Sequence, residues 1–399
     1  MKYKKNIDGF LVILMFLSAI LSVTLIFIRI QVASKNQELP NYRILDDTVA
    51  VYEEPSFYTD ELFYYNFIPK ERFFPSFFEM IFSVQSLETI RNTNFYGYYI
   101  YYVKKLFVWN DNMWYLVIFF SGFPAYLVFV LLTYYIFKNI LKFPSKKAFV
   151  LTLMLIFSPV LLIHSASWLR DVIIYDLMLV AIISSFKKNL TIFLLATSLQ
   201  VIIRGYMILP HILIFLNFWP RTFSKRNVIM TNIVGILITY LLLQMIVIKN
   251  GLNNLINRFI PKIIESLFGL NKSLFLGLIV PRGSIYSILY DFGATFPYYY
   301  SLSIYFLIYI GVLLEKIYSI QFSDLEKRFW YVFLWTAIIL SILHSGFLGY
   351  FVPRIVFIFE ILAWLAFGAS KSPLTKSCKM SVKQNNSEKF YSFQKRTIS

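Results

Sequence analysis

Read for its apolar and polar positions, the chain is a series of long, nearly charge-free runs separated by short clusters of charge. Such runs cover residues 10–28, 113–137, 148–165, 172–186, 190–219, 228–248, 297–314, 329–343 and 350–367. A run of roughly 18 or more apolar residues is long enough to cross about 30 Å of hydrocarbon as a helix. Backbone groups in lipid must be hydrogen-bonded within their own segment, so these runs predict helices. The strict alternation of a membrane β-barrel is absent from the sequence.

The charges between the runs predict a topology. Lys2, Lys4 and Lys5 place the N-terminus in the cytoplasm, and Lys138, Lys142, Lys146 and Lys147 mark the next cytoplasmic turn. The basic flank and Val32-Ala33-Ser34 are signal-like, but the first apolar core is too long for a signal peptide and predicts an uncleaved anchor. Within 190–219, Arg204-Gly205 interrupts the run, and a break there gives two short helices with Arg204 at the outer side and Arg221, Lys225 and Arg226 inside. With that break the expectation is ten spans and both termini in the cytoplasm. Residues 30–112 and 249–296 become outer loops, the second with an amphipathic stretch at 252–268 suited to a membrane surface. The fold class expected is an all-α integral membrane bundle over 1–370, some spans short or broken. A basic, disordered cytoplasmic tail at 371–399 has affinity for anionic lipid.

Composition sharpens this picture. Of 399 residues, 58% are hydrophobic and 15% charged, and the mean hydropathy of +0.64 excludes an ordinary soluble domain. The net charge of +17 follows helix ends rather than one stripe, so it points to membrane topology and not to nucleic acid. The single cysteine, Cys378, excludes an internal disulfide, and three histidines do not suggest a metal centre.

Acidic residues are concentrated in one place. Eleven of the 21, from Glu38 to Asp111, lie between Arg29 and Asp111. On the predicted topology they share the outer face with His164, Arg170-Asp171, Arg204, Arg282, His344 and Arg354. Carboxylates opposite guanidinium groups suit glycosyl transfer. A carboxylate takes the proton of an attacking sugar hydroxyl, and arginines hold the departing phosphate by bidentate bonds. The candidate bases are Asp60 and Glu61, followed by the aromatic run Leu62-Phe63-Tyr64-Tyr65, with Asp46 and Asp47 in reserve. Arg170, Arg204, Arg282 and Arg354 are the candidate phosphate or glycan ligands, and Asp171, Tyr64, Tyr65, Tyr206 and His344 are supporting residues. The geometry expected of such a site sets Asp60-Glu61 against Arg204.

Plainer readings stand beside these. Arg170-Asp171 also fits an interfacial anchor with an acid at a helix N-terminus, and Arg204 could be balanced structurally by Asp171 or Asp176. Asp176 and Glu360 fit interhelical hydrogen bonds, and His164 a buried polar role.

Asp60-Glu61-Leu62-Phe63-Tyr64-Tyr65 resembles the acid-acid-x-x-Tyr-Tyr element of the GT-C superfamily of polyprenyl-linked membrane glycosyltransferases, although Asn66 stands where a Trp commonly follows. Tyr96-Gly97-Tyr98-Tyr99 and Trp109-Asn110-Asp111-Asn112 fall where such chains carry a Gly/aromatic helix and a turn. Ser158-Pro159, then Ser165-Ala166-Ser167-Trp168-Leu169-Arg170-Asp171, with Arg204-Gly205-Tyr206, is similar to membrane proteins of O-antigen and capsule clusters. Gly349-Tyr350-Phe351-Val352-Pro353-Arg354 is a looser match.

The resemblance implies a bacterial inner-membrane enzyme that transfers sugars from an undecaprenyl-linked donor to a glycan acceptor on the periplasmic side, most simply as a repeat-unit polymerase. Its partners would be those substrates, membrane lipids and other polysaccharide-assembly proteins. No cofactor is required by this reading, although paired carboxylates would permit a divalent cation. A single-sugar transferase, a lipid-linked oligosaccharide flippase and a noncatalytic assembly partner are the alternatives.

Overall fold

The computed structural model describes residues 8–35, 37, 39–40, 57, 59–67, 95–220, 225–250, 324–343 and 353–373. Among them all regular structure is helical. Three helical stretches, Gly9–Lys35, Asp111–Ile140 and Arg226–Gln244, are long and apolar enough to cross a membrane, and Leu190–Ile203, Gly205–Phe218 and Ile361–Ser370 are shorter apolar helices.

The first long helix, α1 (Gly9–Lys35), continues past the predicted boundary at residue 28, so Arg29 belongs to it rather than to a loop. Its start is fixed by Asp8, whose Oδ1 accepts the Phe10 N–H at 3.1 Å in the manner of an N-cap. Lys138 Nζ and Tyr134 Oη both donate to the other oxygen, Oδ2. Burial raises the affinity of this carboxyl for its proton, but the bonds from Lys138, Tyr134, Ser145 and Phe10 together outweigh it and bring the pKa from 3.8 down to about 2. A depressed folded-state value means that the stabilisation is complete above the ordinary value and is lost as pH falls through the window from 3.8 to about 2. Asp8→Asn is therefore expected to flatten the fall of the melting temperature across that window. Parallel curves for the two proteins would show that another group sets the acid response.

Short helices α2 (Thr59–Tyr65) and α3 (Phe95–Phe107) precede the second long stretch. That stretch is a 3-10 turn at Asp111–Met113, α4 (Leu116–Phe119), α5 (Gly122–Tyr135) and a widened π turn at Ile136–Ile140. The run expected as one span at 148–165 is instead two pieces, α6 (Ser145–Ile156) and α7 (Pro159–Ser165). Pro159 explains the break: it has no N–H to donate, and its ring disfavours helical geometry at Ser158.

Helix α8 (Asp171–Lys187) is buried on nearly every side, packed against α5, α7 and the next two helices, α9 (Leu190–Ile203) and α10 (Ile208–Phe218). Lys188 closes α8 in the left-handed region at φ 59°, and Asn189 caps α9 by accepting the Ile192 N–H at 3.1 Å. The predicted interruption at Arg204-Gly205 is present: Arg204 is extended (φ −157°, ψ 91°), and a 3-10 turn at Gly205–Met207 leads into α10. At the far end of α10 the last carbonyls are covered by cations, as helix C-termini favour. Lys188 Nζ donates to Phe218 O at 2.7 Å and to Trp219 O, and Arg328 Nη1 donates to Asn217 O at 3.0 Å and Pro220 O at 2.7 Å.

Helices α11 (Lys225–Asn250), α12 (Asp324–Leu343) and α13 (Pro353–Lys371) complete the described bundle. α11 approaches α12 closely at Gly235, where a Cβ would fall 2.2 Å from the Trp335 ring. The expected span at 297–314, the second outer loop and the tail beyond residue 373 lie outside the described residues.

Two apolar cores result. One runs through the bundle around α5, α8, α10, α12 and α13. The other is an aromatic lobe built from Phe57, α2, α3 and α4, into which Trp168 and the end of α1 insert.

Candidate functional site

The lobe and the bundle meet at the connection between α7 and α8, residues 165–170. On α1 the buried positions Leu14, Ser18, Ser22, Ile26 and Arg29 recur at three- and four-residue spacing, which gives one narrow face. Small residues on that face allow close approach, and Ser22 Oγ donates to Ser165 O at 3.3 Å.

Arg29 lies on this face at 1% exposure, ahead of buried Val32 and Ala33, and faces a Glu61 that is fully enclosed. The pairing is a fork: Arg29 Nη1 donates to Glu61 Oε1 at 2.9 Å, and Nη2 donates to Oε2. Nη1 also donates to Ala166 O at 2.5 Å. The guanidinium lies among the rings of Trp168, Phe57 and Trp114, at 5.1, 5.2 and 5.7 Å from their centroids. Removing two charges from water costs several kcal/mol per ion, and bidentate geometry plus further hydrogen bonds offset that cost.

Glu61 also holds Trp168 twice: Oε1 accepts the backbone N–H at 3.1 Å, and the Glu61 carbonyl accepts the indole N–H at 2.7 Å. Tyr96 Oη donates to Trp168 O at 2.8 Å. Burial, and then Tyr99, Tyr64, Asp171 and Glu61 nearby, raise the Tyr96 hydroxyl well above the ordinary tyrosine range, which keeps it a donor.

Two residues beyond Trp168 the chain reaches Arg170 and Asp171. Arg170 Nη1 donates to Ile203 O at 2.9 Å, satisfying a carbonyl at the end of α9, and its guanidinium is 5.7 Å from the Tyr64 ring centroid. Arg204 Nη1 donates to Asp171 Oδ1 at 3.0 Å and lies 5.4 Å from the Tyr206 ring centroid. All three charged residues are at most 5% exposed. The first turn of α8 and the turn opening α10 both start here, so two helix N-termini share the place with two guanidinium groups. Such ends carry partial positive charge and attract anions. Among the described residues, a Cβ built on Gly205, beside Arg204, meets no atom within 4 Å.

Glu61 does not take the place against Arg204 expected of it, whereas the plainer expectation, Arg204 balanced by Asp171, is what the geometry shows. Glu61 instead binds Arg29 with both oxygens. The reason is local: α8 and α9 form a hairpin through Lys188-Asn189, which brings residues 170–171 level with 203–204. Of the supporting residues, Tyr64 covers Arg170, Tyr206 covers Arg204, and Tyr65 is buried against Trp168 and Lys104. Asp46, Asp47, Arg282 and His344 lie outside the described residues, as do the side chains of Asp60, Arg354 and Glu360. Asp176 and His164 are buried. Among the described residues no group of three or more His, Cys, Asp or Glu could hold a metal ion.

Arg29, Phe57, Tyr96, Trp114 and Trp168 were not singled out from sequence for a role at this junction. The usable signal was the Ser18, Ser22, Arg29 series, which puts a cation on the small-residue face of an apolar helix.

Together these features define an all-helical protein with helices long enough to cross a membrane and a buried cationic cluster at a helix break. Comparison with known proteins finds no family model, no curated protein and no solved structure that matches the chain.

Proposed function

We propose that the chain transfers glycosyl units from an undecaprenyl-(pyro)phosphate-linked donor at the outer face of a bacterial inner membrane, as a repeat-unit polymerase of surface polysaccharide. The observation that carries this reading is the convergence of Arg170 and Arg204 with the N-terminal ends of α8 and α10 beneath Tyr64 and Tyr206. A phosphate leaving group develops negative charge in the transition state, and preorganised donors at low dielectric stabilise that charge most. In the step envisaged, an acceptor hydroxyl attacks the anomeric carbon, and the bond from that carbon to the phosphate oxygen breaks. The hydroxyl proton passes to a carboxylate, for which Asp60 is the candidate, and the phosphate departs on the arginines. The tyrosine rings offer flat apolar faces to sugar.

Lysine and asparagine substitutions test this without leaving a lone buried charge. Arg170→Lys and Arg204→Lys keep the cation but lose the planar fork, and Asp60→Asn removes the base. Each is expected to lower transfer by about 10²-fold and to collapse the surface glycan ladder to single repeats at unchanged protein level. Full-length glycan from all three variants would refute the site. A second reading, a lipid-linked oligosaccharide transporter, is favoured by Asp176, an acid buried in α8. It would instead leave repeat units accumulated on the cytoplasmic side.

A further inference from the structure

We propose that the Arg29–Glu61 pair is a positioning device that sets the 165–170 connection and so places Arg170 and Asp171 in the candidate site. This role rests on the reading above that those two residues belong to the site.

Three separate parts of the chain grip the same short connection. Arg29, from α1, binds Ala166 O; Glu61, from α2, binds the Trp168 N–H and the indole N–H; Tyr96, from α3, binds Trp168 O. Arg170 follows two residues later and Asp171 opens α8. In α2, Glu61 and Tyr64 are three residues apart and therefore share a helix face. One residue of that face holds Trp168 and the other covers Arg170. The lobe thus fixes both the connection and the guanidinium that it presents. A forked ion pair is well suited to this: its two parallel bonds define orientation as well as distance, which a contact between apolar side chains does not. Buried ion pairs are poor stabilisers compared with apolar residues of similar volume, so a geometric purpose accounts for this one better than stability does.

The test uses the full-length protein in detergent and in its own cells. Arg29→Met combined with Glu61→Leu replaces the pair by apolar side chains, and Arg29→Gln combined with Glu61→Gln removes both charges while keeping polar side chains. Hydrogen exchange of amides 165–175 is expected to accelerate by about tenfold or more in both. Exchange in α12 and α13, and the melting temperature of the apolar double variant, should stay near wild type, while surface glycan shortens at normal protein level. Unchanged exchange at 165–175, or acceleration spread evenly over all helices, would overturn the proposal. Faster local exchange with full-length glycan would uphold the positioning of residues 165–170 and count against the functional reading of Arg170. If the apolar double variant does not accumulate, Arg29→Gln combined with Glu61→Gln decides by the same criteria.

Discussion

Asp171→Ala is expected to remove about 3–5 kcal/mol of stability, a large share of the roughly 5–15 kcal/mol that typical domains possess. Arg204 is 5% exposed and donates to Asp171 at 3.0 Å in a region of apolar helices. Loss of that carboxylate takes an opposite charge and a charge-assisted bond away from a buried guanidinium. The cost should appear as a strongly lowered melting temperature and little folded protein in the membrane. Asp171→Leu combined with Arg204→Met removes both charges and is expected to recover most of the loss, because a buried ion that has lost an opposite charge is costlier than apolar side chains of similar volume. On the proposed glycosyl-transfer function, the recovered protein should still fail in glycan assembly. If the single and double variants lose equal stability, packing around Asp171 and not the stranded charge is responsible.

Gly122→Ala is the second large effect, and it comes from space alone. A Cβ at this position would fall 2.0 Å from Ser167 O and 2.9 Å from His164 O. Both neighbours are backbone atoms, one in the connection that carries Trp168 and one in the last turn of α7, so no side chain can rotate away, and the helix start or its neighbours must move. Overpacking of this kind costs about 1–3 kcal/mol, and more where backbone has to shift. Gly9→Ala is the control, since a Cβ there meets nothing within 4 Å. The expected result is a melting temperature unchanged for Gly9→Ala and clearly lowered for Gly122→Ala. Equal values would mean that α5 can slide past Ser167 at no cost.

The parts of this architecture that were legible in the sequence are those set by local chemistry. An arginine followed by glycine inside an apolar run marked the break between α9 and α10, because a charge at membrane depth and a residue of low helix propensity coincide there. The gap between the apolar runs at 172–186 and 190–219 separated α8 from α9, and the runs located α1, α5, α8 and α11. Ser158-Pro159 carried a break as well, but hydrophobicity alone ran through it and suggested one span. The site was legible in its members and in one of its pairs. Arg170, Asp171, Arg204, Tyr64 and Tyr206 do gather, and of the two acids that the sequence offered Arg204 as structural partners, the alignment of the α8–α9 hairpin selects Asp171. The partner of Glu61 depends instead on where α2 docks. Glu61 looked like a free base because its partner, Arg29, reads in one dimension as the basic flank of a helix. Only packing shows that Arg29 sits inside the lobe and turns toward Glu61.

The tie between Glu61 and Trp168 also bears on the order in which the protein can mature. The bonded groups are 107 residues apart, and Arg29 and Ala166 are 137 apart. Arg29 and Glu61 can meet as soon as the first quarter of the chain is made, but Trp168 arrives only after α5, α6 and α7 have been synthesised. Long-range contacts of this kind form late because the intervening chain must first be ordered. During synthesis, therefore, Phe57, Tyr65 and Trp114 must wait with their apolar faces uncovered until the Trp168 ring reaches them, and truncations ending before residue 168 would leave the lobe permanently open.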